Sequence, residues 1–364
     1  MVPAETSKPI RVLVIDDSRT ARELLVAMLE NAGGLEVVGV GETGQDAVRL
    51  ARRVRPDLIA MDIIMPEMDG LEATRAIMRE APTPIVLLTS TLMYSDVKLT
   101  FEAMRLGALA VVNKPAVGDE AAWETVLQTM RLMAKVGVVR RWDPEARKTA
   151  TVAPSSSVAG AVSSEFPVQR PNTQIIGIGS STGGPAVLAT ILGALPADFP
   201  LPILIVQHIT KGFGPGFAEW LSTQTALNVR LAGHGDTPVP GNVLLAPDDC
   251  HMRINVWGVI ELSKDPPYRG LRPSINYLFH SLATVYGPRA FGIQLTGMGD
   301  DGAEGLEALH RQGGWVIAQE EKSCVVASMP QEVIARKAVN EILTPAQIAA
   351  RLQALGSMKN KEVK

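Results

Sequence analysis

The sequence predicts an α/β protein made of two doubly wound parallel-sheet domains joined by a flexible linker. In each half, short apolar runs rich in β-branched residues alternate with segments of helical period, the pattern of parallel sheets with crossover helices. The 364 residues suffice for two domains, and a content of 46% hydrophobic and 20% charged residues is typical of globular proteins. Between the halves, residues 140–170 are rich in Ala, Ser, Val and Pro without any period, which favours a tether.

The predicted limits are 9–127 for the first domain, 128–171 for the linker and 172–355 for the second domain. Strands of the first half are predicted at IRVLVI, LEVVGV, LIAMDI, PIVLLT and LAVVNK, with helices near 18–31, 44–53, 70–79, 95–105 and 120–135. Strands of the second half are predicted at TQIIGIG, LPILIVQ, NVRLA, NVLLAP, HMRINVWGVIEL, AFGIQL and GWVIAQ.

Composition excludes several classes of function. A net charge of −3 gives no electrostatic footprint for nucleic acid, and the second half offers neither the helix-turn-helix nor the basic face of a DNA-binding regulator. No apolar run reaches the roughly 20 residues that span a bilayer, and the polar start lacks the apolar core of a signal peptide. Two cysteines are too few for a disulfide framework. We therefore expect a cytoplasmic protein without membrane insertion.

Acidic residues follow the predicted strands of the first half. Asp16 and Asp17 come after the first strand, Asp62 ends the third, and Lys114 follows the fifth. Because the carboxyl ends of parallel strands share one edge of the sheet, these side chains should lie close together. Clustered carboxylates favour a hard cation, so we expect a Mg²⁺ site in which one carboxylate can attack a phosphoryl group.

The second half begins with a glycine-bracketed serine. The string Gly179-Ser180-Ser181-Thr182-Gly183 satisfies G-x-S-x-G, in which a sharp strand-to-helix turn exposes a nucleophilic serine. The alternative is a glycine loop that holds a phosphate at a helix N-terminus. The dinucleotide fingerprint G-x-G-x-x-G fails, since its third glycine would fall at Thr182. Ser181 is thus the candidate nucleophile.

A serine nucleophile needs a base and an orienting acid. His208 directly follows a predicted strand and should reach the same edge as Ser181, whereas the other histidines lie in loops, at a strand start or in helical segments (His234, His251, His280, His310). The acid is Asp300 or Asp301 in TGMGDDG, one of which can cap the following helix. The backbone N–H of Met298 is a candidate oxyanion donor.

The first half resembles the receiver domain of two-component response regulators over about residues 9–127. IDDS, DIIMPEMDG, LLTS and NKP carry the resemblance. It implies a flavodoxin-like fold, phosphorylation of Asp62 by a histidine kinase, and contacts to the phosphoryl group from Thr89 and Lys114. It also implies Mg²⁺ held by Asp16, Asp17 and Asp62. The family often has an aromatic switch residue where this chain has Val111, so we expect a switch by helix shift alone.

The second half resembles the catalytic domain of chemotaxis protein-glutamate methylesterases over about residues 172–352. The strings GIGSSTGGP, VQHI, LLAPDD, LRPSINYLF, LTGMGDDGAEG and CVVASMP carry this resemblance. It implies a Rossmann-like domain with Ser181 as nucleophile, His208 as base and Asp301 as orienting acid. The chain order Ser…His…Asp differs from the Ser…Asp/Glu…His order of α/β-hydrolases.

The resemblance further implies a carboxylic ester hydrolase without a cofactor at the esterase site. Its substrates would be glutamate γ-methyl esters, and also glutamines, of methyl-accepting chemoreceptors. The unphosphorylated receiver domain would cover the active site. The remaining alternative is a non-catalytic scaffold, against which the intact Ser181, His208 and Asp301 argue.

Overall fold

A computed structural model describes residues 8–89, 94–116, 118–136, 138 and 172–362, with backbone alone for 94–99 and 359–362. The first half contains β1 Ile10–Ile15, α1 Arg19–Asn31, β2 Leu35–Gly41, α2 Gly44–Val54, β3 Leu58–Asp62, α3 Gly70–Glu80, β4 Ile85–Thr89, α4 Tyr94–Leu106, β5 Ala110–Asn113 and α5 Glu120–Met133. The strands form one parallel sheet in the order β2-β1-β3-β4-β5. This is the flavodoxin-like order, as predicted.

The second half begins with β6 Ile175–Ser180, α6 Gly184–Gly193, β7 Ile203–Gln207, α7 Gly214–Ser222, β8 Asn228–Leu231, β9 Asn242–Leu245, β10 His251–Ile254 and β11 Ile260–Ser263. It continues with α8 Ile275–Val285, β12 Ala290–Gln294, α9 Ala303–Arg311, β13 Trp315–Gln319, α10 Ser328–Ala335, β14 Glu341–Leu343 and α11 Pro345–Glu362. Seven strands form a parallel sheet in the order β14-β13-β12-β6-β7-β9-β8. The chain leaves β6 toward β7 on one side and returns through β12 on the other, so a topological switch point lies at β6.

Local sequence explains where the helices begin. Ser18, Thr43 and Asp69 each accept a hydrogen bond from a backbone N–H in the first turn of α1, α2 and α3. Helix α6 instead starts from Gly183, whose φ of +81° suits glycine, and has a proline in its first turn.

Helix α8 lies unusually close to the central strand β6. A Cβ atom added to Gly177 would lie 2.5 Å from Leu282, and one added to Gly179 would lie 2.4 Å from Ile275. Glycine is therefore required on this face of β6, and the close contact fixes the start of α8 at the carboxyl edge of the sheet.

The structure corrects the prediction of one long strand at HMRINVWGVIEL. Strands β10 and β11 form an antiparallel pair outside the main sheet, and Asn255 between them accepts hydrogen bonds from Trp257 and Val259. The side chain of Asn255 therefore closes a turn in the middle of the apolar run. Strand β14 at the sheet edge was not predicted.

Part of the boundary between the two predicted domains lies within the residues that the structure describes. The predicted limit at 127 falls inside α5, whose Met130 and Met133 are buried against the first sheet. Most of the predicted linker 128–171 lies outside the described residues. In the part of the chain that the structure describes, no helix has both the length and the apolar character needed to cross a membrane.

Candidate active site

Ser181 follows β6 directly, at the carboxyl edge of the second sheet. Its backbone N–H donates to the Thr296 carbonyl at 3.0 Å, and its own carbonyl accepts from the Gly184 N–H at 2.8 Å. Among the described residues, positive φ in this loop occurs at Gly183 and not at the serine. The sharp, glycine-bracketed turn that the sequence predicts is therefore present: Gly183 carries the positive φ, and Ser181 is partly exposed.

The structure brings His208 and Asp301 into direct contact. His208 follows β7, its backbone N–H donates to the Ser180 carbonyl at 2.9 Å, and its Nε2 lies 2.9 Å from Asp301 Oδ2. The histidine side chain is 13% exposed and the aspartate side chain 4%. A mostly buried imidazole beside a buried carboxylate is the arrangement in which the acid orients the base.

Asp301 is held by the first turn of α8. Its Oδ1 accepts from Ser274 Oγ at 2.7 Å and from the Asn276 N–H at 3.1 Å, and its Oδ2 accepts from the Ile275 N–H at 2.6 Å. Burial alone would raise the pKa of Asp301, but the His208 contact and the bonds from Ile275 and Ser274 outweigh it and hold the pKa below its ordinary value. The carboxylate is therefore kept ionised.

The neighbouring aspartate has a different place. Asp300 lies at the surface and pairs with Arg269 at 2.6 Å. Helix α9, which follows this loop, starts from Gly302 without a side-chain cap. The expectation that one aspartate caps that helix is wrong, because Asp301 receives the N–H groups of α8 instead.

His208 contacts Asp301 through Nε2, and this determines which of its two ring nitrogens can act as a base. With a proton on Nε2 directed at the carboxylate, Nδ1 is the ring nitrogen that can accept a proton. In the chymotrypsin triad the roles are reversed, with Nδ1 facing the acid. No hydrogen bond joins Ser181 to His208 within the described part of the chain, which leaves both residues as candidates, since catalytic contacts often form only when substrate binds.

Two backbone N–H groups beside Ser181 are candidate oxyanion donors. The N–H groups of Met298 and Thr182 donate to no acceptor among the residues that the structure describes, whereas the neighbouring Gly297 N–H is used by the Val326 carbonyl. Met298 was a sequence prediction, and Thr182 was missed, although the residue after the nucleophile commonly supplies such a donor. Both stay candidates on this geometry.

Thr296 joins the loop of residues 181–183 to the segment before α10, and the sequence pattern does not single it out. It is fully buried, and its Oγ1 lies 2.9 Å from the Thr182 carbonyl and accepts from the Val325 and Val326 N–H groups at 3.1 and 3.0 Å. These partners are distant in sequence, so the sequence draws attention to Thr296 only through its place in the string LTGMGDDG.

The other histidines do not reach Asp301. His251 is fully buried, stacks on Tyr277 with ring centroids 3.8 Å apart, and accepts from the Ser274 N–H through Nδ1 at 3.1 Å. Burial lowers its pKa. His251 therefore supports the turn that holds Asp301. His234 accepts from the Leu262 N–H at 3.3 Å, away from this turn.

The acidic cluster of the first half forms as predicted from the sheet edge. Carboxylate oxygens of Asp16, Asp17 and Asp62 lie within 4.8 Å of one another, and Lys114 Nζ lies 2.6 Å from Asp16 and 2.8 Å from Asp62. Burial raises the pKa of Asp62, partly offset by Lys114. Burial opposes the charge on Lys114, yet its two carboxylate partners raise its pKa overall.

These residues fit a divalent cation. Asp16 and Asp62 are 1% and 6% exposed, and three carboxylates at this spacing are oxygen donors of the kind that Mg²⁺ takes. Thr89 is buried at the end of β4 next to this edge, and Val111 lies partly buried in β5.

The two halves meet through an aromatic cluster. Phe101 of α4 is 1% exposed, and its ring centroid lies 4.8 Å from Phe217, 5.4 Å from Trp220 and 6.4 Å from Phe213. Val325 and Val326 pack against the core of the first half. The loop bonded to Thr296 thus also contacts the first domain.

Comparison with known proteins gives a match in each half. Residues 176–352 match the CheB methylesterase family, and residues 12–122 match the response regulator receiver domain. Protein-glutamate methylesterase/protein-glutamine glutaminase 4 of Myxococcus xanthus is 44% identical over 348 residues, which is 94% of this chain and 96% of that protein. Protein-glutamate methylesterase/protein-glutamine glutaminase 1 of Syntrophus aciditrophicus is 41% identical over 350 residues, or 95% and 98%.

Among solved structures, the Thermotoga maritima CheB methylesterase catalytic domain is 35% identical, covers 50% of this chain and 98% of that chain, and has a TM-score of 0.49. The two curated relatives align along nearly the full length, through both sheets and the segment between them. The protein therefore belongs to the CheB methylesterase family, with a response regulator receiver domain ahead of the esterase domain.

Proposed function

We propose that this protein is a phosphorylation-regulated hydrolase that removes methyl groups from glutamate γ-methyl esters of methyl-accepting chemoreceptors in chemotaxis, and that the same site deamidates receptor glutamines. The contact of His208 Nε2 with the cradled, ionised carboxylate of Asp301 is the observation that carries this proposal. It supports a base held in one tautomer at the sheet edge where Ser181 emerges. The printed names of the relatives support the substrate class.

In the proposed reaction, His208 Nδ1 takes the proton of Ser181 as its Oγ attacks the ester carbonyl. The N–H groups of Met298 and Thr182 donate to the oxyanion, and the imidazolium is stabilised by Asp301. The His208 imidazolium then gives its proton to the alkoxy oxygen, and methanol leaves. Water attacks the acyl-enzyme, with His208 again as the base. With a glutamine, ammonia leaves instead. These groups supply nucleophile, base and oxyanion donors, so the esterase step is proposed to need no cofactor.

Regulation is proposed to begin at Asp62, which accepts a phosphoryl group from a histidine kinase. Asp16, Asp17 and Asp62 would hold Mg²⁺, which when bound neutralises charge on the phosphate oxygens. Thr89 and Lys114 would contact the phosphorylated side chain from β4 and the end of β5. The added charge would displace Lys114 from its present partners, Asp16 and Asp62.

The receiver domain is proposed to restrain the esterase until it is phosphorylated. The buried ring of Phe101 against α7 and the packing of Val325 and Val326 on the receiver core support such a contact. Since Val325 and Val326 are bonded to Thr296, the same surface reaches the nucleophile loop. We propose a cytoplasmic location, which suits a kinase as phosphodonor and the two free cysteines.

Methanol release from methylated receptor preparations, with and without a small-molecule phosphodonor, tests the proposal. The wild-type chain should release methanol, and Ser181→Ala and His208→Gln should each abolish the release. Activity persisting in both variants would refute the assignment. Removal of residues 1–170 should raise basal activity, and a folded fragment with equal or lower activity would argue against restraint by the receiver.

A further inference from the structure

We propose that Gln207 is a positioning residue: its one buried amide fixes the backbone of the nucleophile Ser181 relative to that of the base His208. Gln207 is the last residue of β7 and is 7% exposed. Its Nε2 donates to the Ser181 carbonyl and to the His208 carbonyl, both at 2.8 Å, and its Oε1 accepts from Ser180 Oγ at 2.6 Å. The inference rests on the proposed function, in which Ser181 and His208 are the reacting pair.

The surroundings fix the orientation of this amide. Two carbonyl oxygens can only accept, so the NH₂ group must face them, and the hydroxyl of Ser180 is then the donor that the amide oxygen needs. Both amide hydrogens are used on the two residues of the pair. Replacing the amide would remove these donors from two partly buried carbonyls, and the Ser181 carbonyl would keep only the Gly184 N–H.

The amide lies so close to Gly184 that a side chain at that position would collide with it. A Cβ atom at Gly184 would lie 2.2 Å from Gln207 Oε1 and 2.9 Å from Ser180 Oγ. Glycine at 184 is therefore required by the position of this amide.

Glutamines also end β12 and β13, and the comparison shows what is particular to Gln207. Gln319 accepts from the Thr296 N–H at 2.9 Å, and Gln294 donates to the Gly179 carbonyl at 3.2 Å. Each of these amides braces one loop of the catalytic edge. Of the three, Gln207 alone bonds to backbone atoms of both Ser181 and His208.

Such a position should affect the chemical step rather than binding. The contact of Ser181 with His208 must form for each turnover, and a displacement of about 1 Å can lower a rate about 100-fold. Gln207 is too buried to contact a protein substrate, so its loss should lower kcat and leave KM within about twofold.

The test uses the full chain, activated by a small-molecule phosphodonor, with two substitutions of different chemistry. Gln207→Leu removes every hydrogen bond, and Gln207→Glu keeps the size and the acceptor but cannot donate while ionised. Both should lower kcat for methanol release by about 10- to 100-fold. The rate of labelling of Ser181 by a fluorophosphonate should fall in parallel.

The pH profile separates positioning from a general structural role. A buried carboxyl is protonated more easily and then donates to one of the two carbonyls. The activity of Gln207→Glu relative to wild type should therefore rise as the pH is lowered, whereas that of Gln207→Leu should stay constant.

Thr225→Val is the matched control. Thr225 lies between α7 and β8, at the sheet edge opposite Ser181. It donates to the Leu192 carbonyl of α6 at 2.7 Å and accepts from the Leu227 N–H at 3.3 Å. This variant should lose stability but keep kcat.

The inference would be overturned if both Gln207 variants kept the wild-type kcat and the wild-type rate of Ser181 labelling. It would also be overturned if their kcat fell no further than that of Thr225→Val and the activity of Gln207→Glu relative to wild type did not change with pH. A wild-type protein that is labelled at Ser181 but releases no methanol from receptors would refute the proposed substrate. The labelling rates of the Gln207 variants would still decide the inference.

Discussion

The substitution Asp301→Asn tests the proposed triad most directly. It removes one charge and exchanges one of two carboxylate oxygens for an NH₂ group. Oδ2 faces His208 and the Ile275 N–H, and Oδ1 faces Ser274 Oγ and the Asn276 N–H. Either orientation of the amide therefore sets its NH₂ group against one backbone N–H.

The contacts favour one orientation. The Ile275 bond is 2.6 Å long and the Asn276 bond 3.1 Å, and Ser274 can rotate its hydroxyl to become an acceptor. The amide oxygen should thus stay on His208 and Ile275, which preserves the Nε2–H tautomer. The substitution removes the charge that stabilises the imidazolium. We therefore expect kcat to fall about 10²- to 10³-fold, which corresponds to an activation free energy higher by roughly 3–4 kcal/mol.

The assay is the initial rate of methanol release under saturating substrate, with thermal unfolding measured in parallel. One backbone N–H left without an acceptor should lower stability by about 1–3 kcal/mol. Asp300→Asn is the control, since that exposed neighbour pairs with Arg269 outside the triad, and it should keep full activity. A loss below about tenfold would refute the role of Asp301, and a loss above about 10⁴-fold would refute the preserved tautomer.

Four further outcomes follow from the structure. Phe101→Ala should raise basal activity without a phosphodonor, because removal of a buried ring costs about 3–5 kcal/mol and its partners lie in the esterase domain; unchanged basal activity would contradict restraint through this contact. Asp62→Asn should keep basal activity and lose all stimulation by a phosphodonor, measured as the ratio of the two rates. Gly297→Ala should lower kcat, because its Cβ would lie 2.1 Å from Met329 Sδ and 2.7 Å from Ser181 Cβ; a normal kcat would show that the loop shifts freely. Since the folded pKa of Asp301 is lowered, its contribution to stability is present above its unfolded pKa of about 3.9 and is lost as the pH falls through the lower folded value, so thermal unfolding scans in acid should show a steeper loss for wild type than for Asp301→Asn.

Parallel topology made the shared edge of Ser181, His208 and Asp301 predictable from sequence. Ser181, His208 and Asp301 each follow a strand whose apolar run is unmistakable, and strand ends in such a sheet share one edge. The same reasoning placed Asp16 and Asp62 beside Lys114, as the structure shows.

Contacts between distant segments were not predictable. The turn at Asn255 interrupts an apolar run whose period does not change, so the pattern predicts a single strand where the structure has two. The first turn of α8 binds Asp301 from 26 residues away, which no local capping pattern reveals. Gln207 stood in the string VQHI, but its role depends on Ser180 and Ser181 of another loop.

The approach of Nε2 to Asp301 has a consequence for choosing inactive forms of the enzyme. A glutamine side-chain nitrogen extends about as far from the backbone as Nε2 of histidine, and an asparagine nitrogen about as far as Nδ1. His208→Gln should therefore mimic the half of the ring that meets the carboxylate, and His208→Asn the half that meets the serine. The glutamine form should keep the architecture of the edge while lacking a proton acceptor, which makes it the better choice for trapping an intact substrate in a crystal.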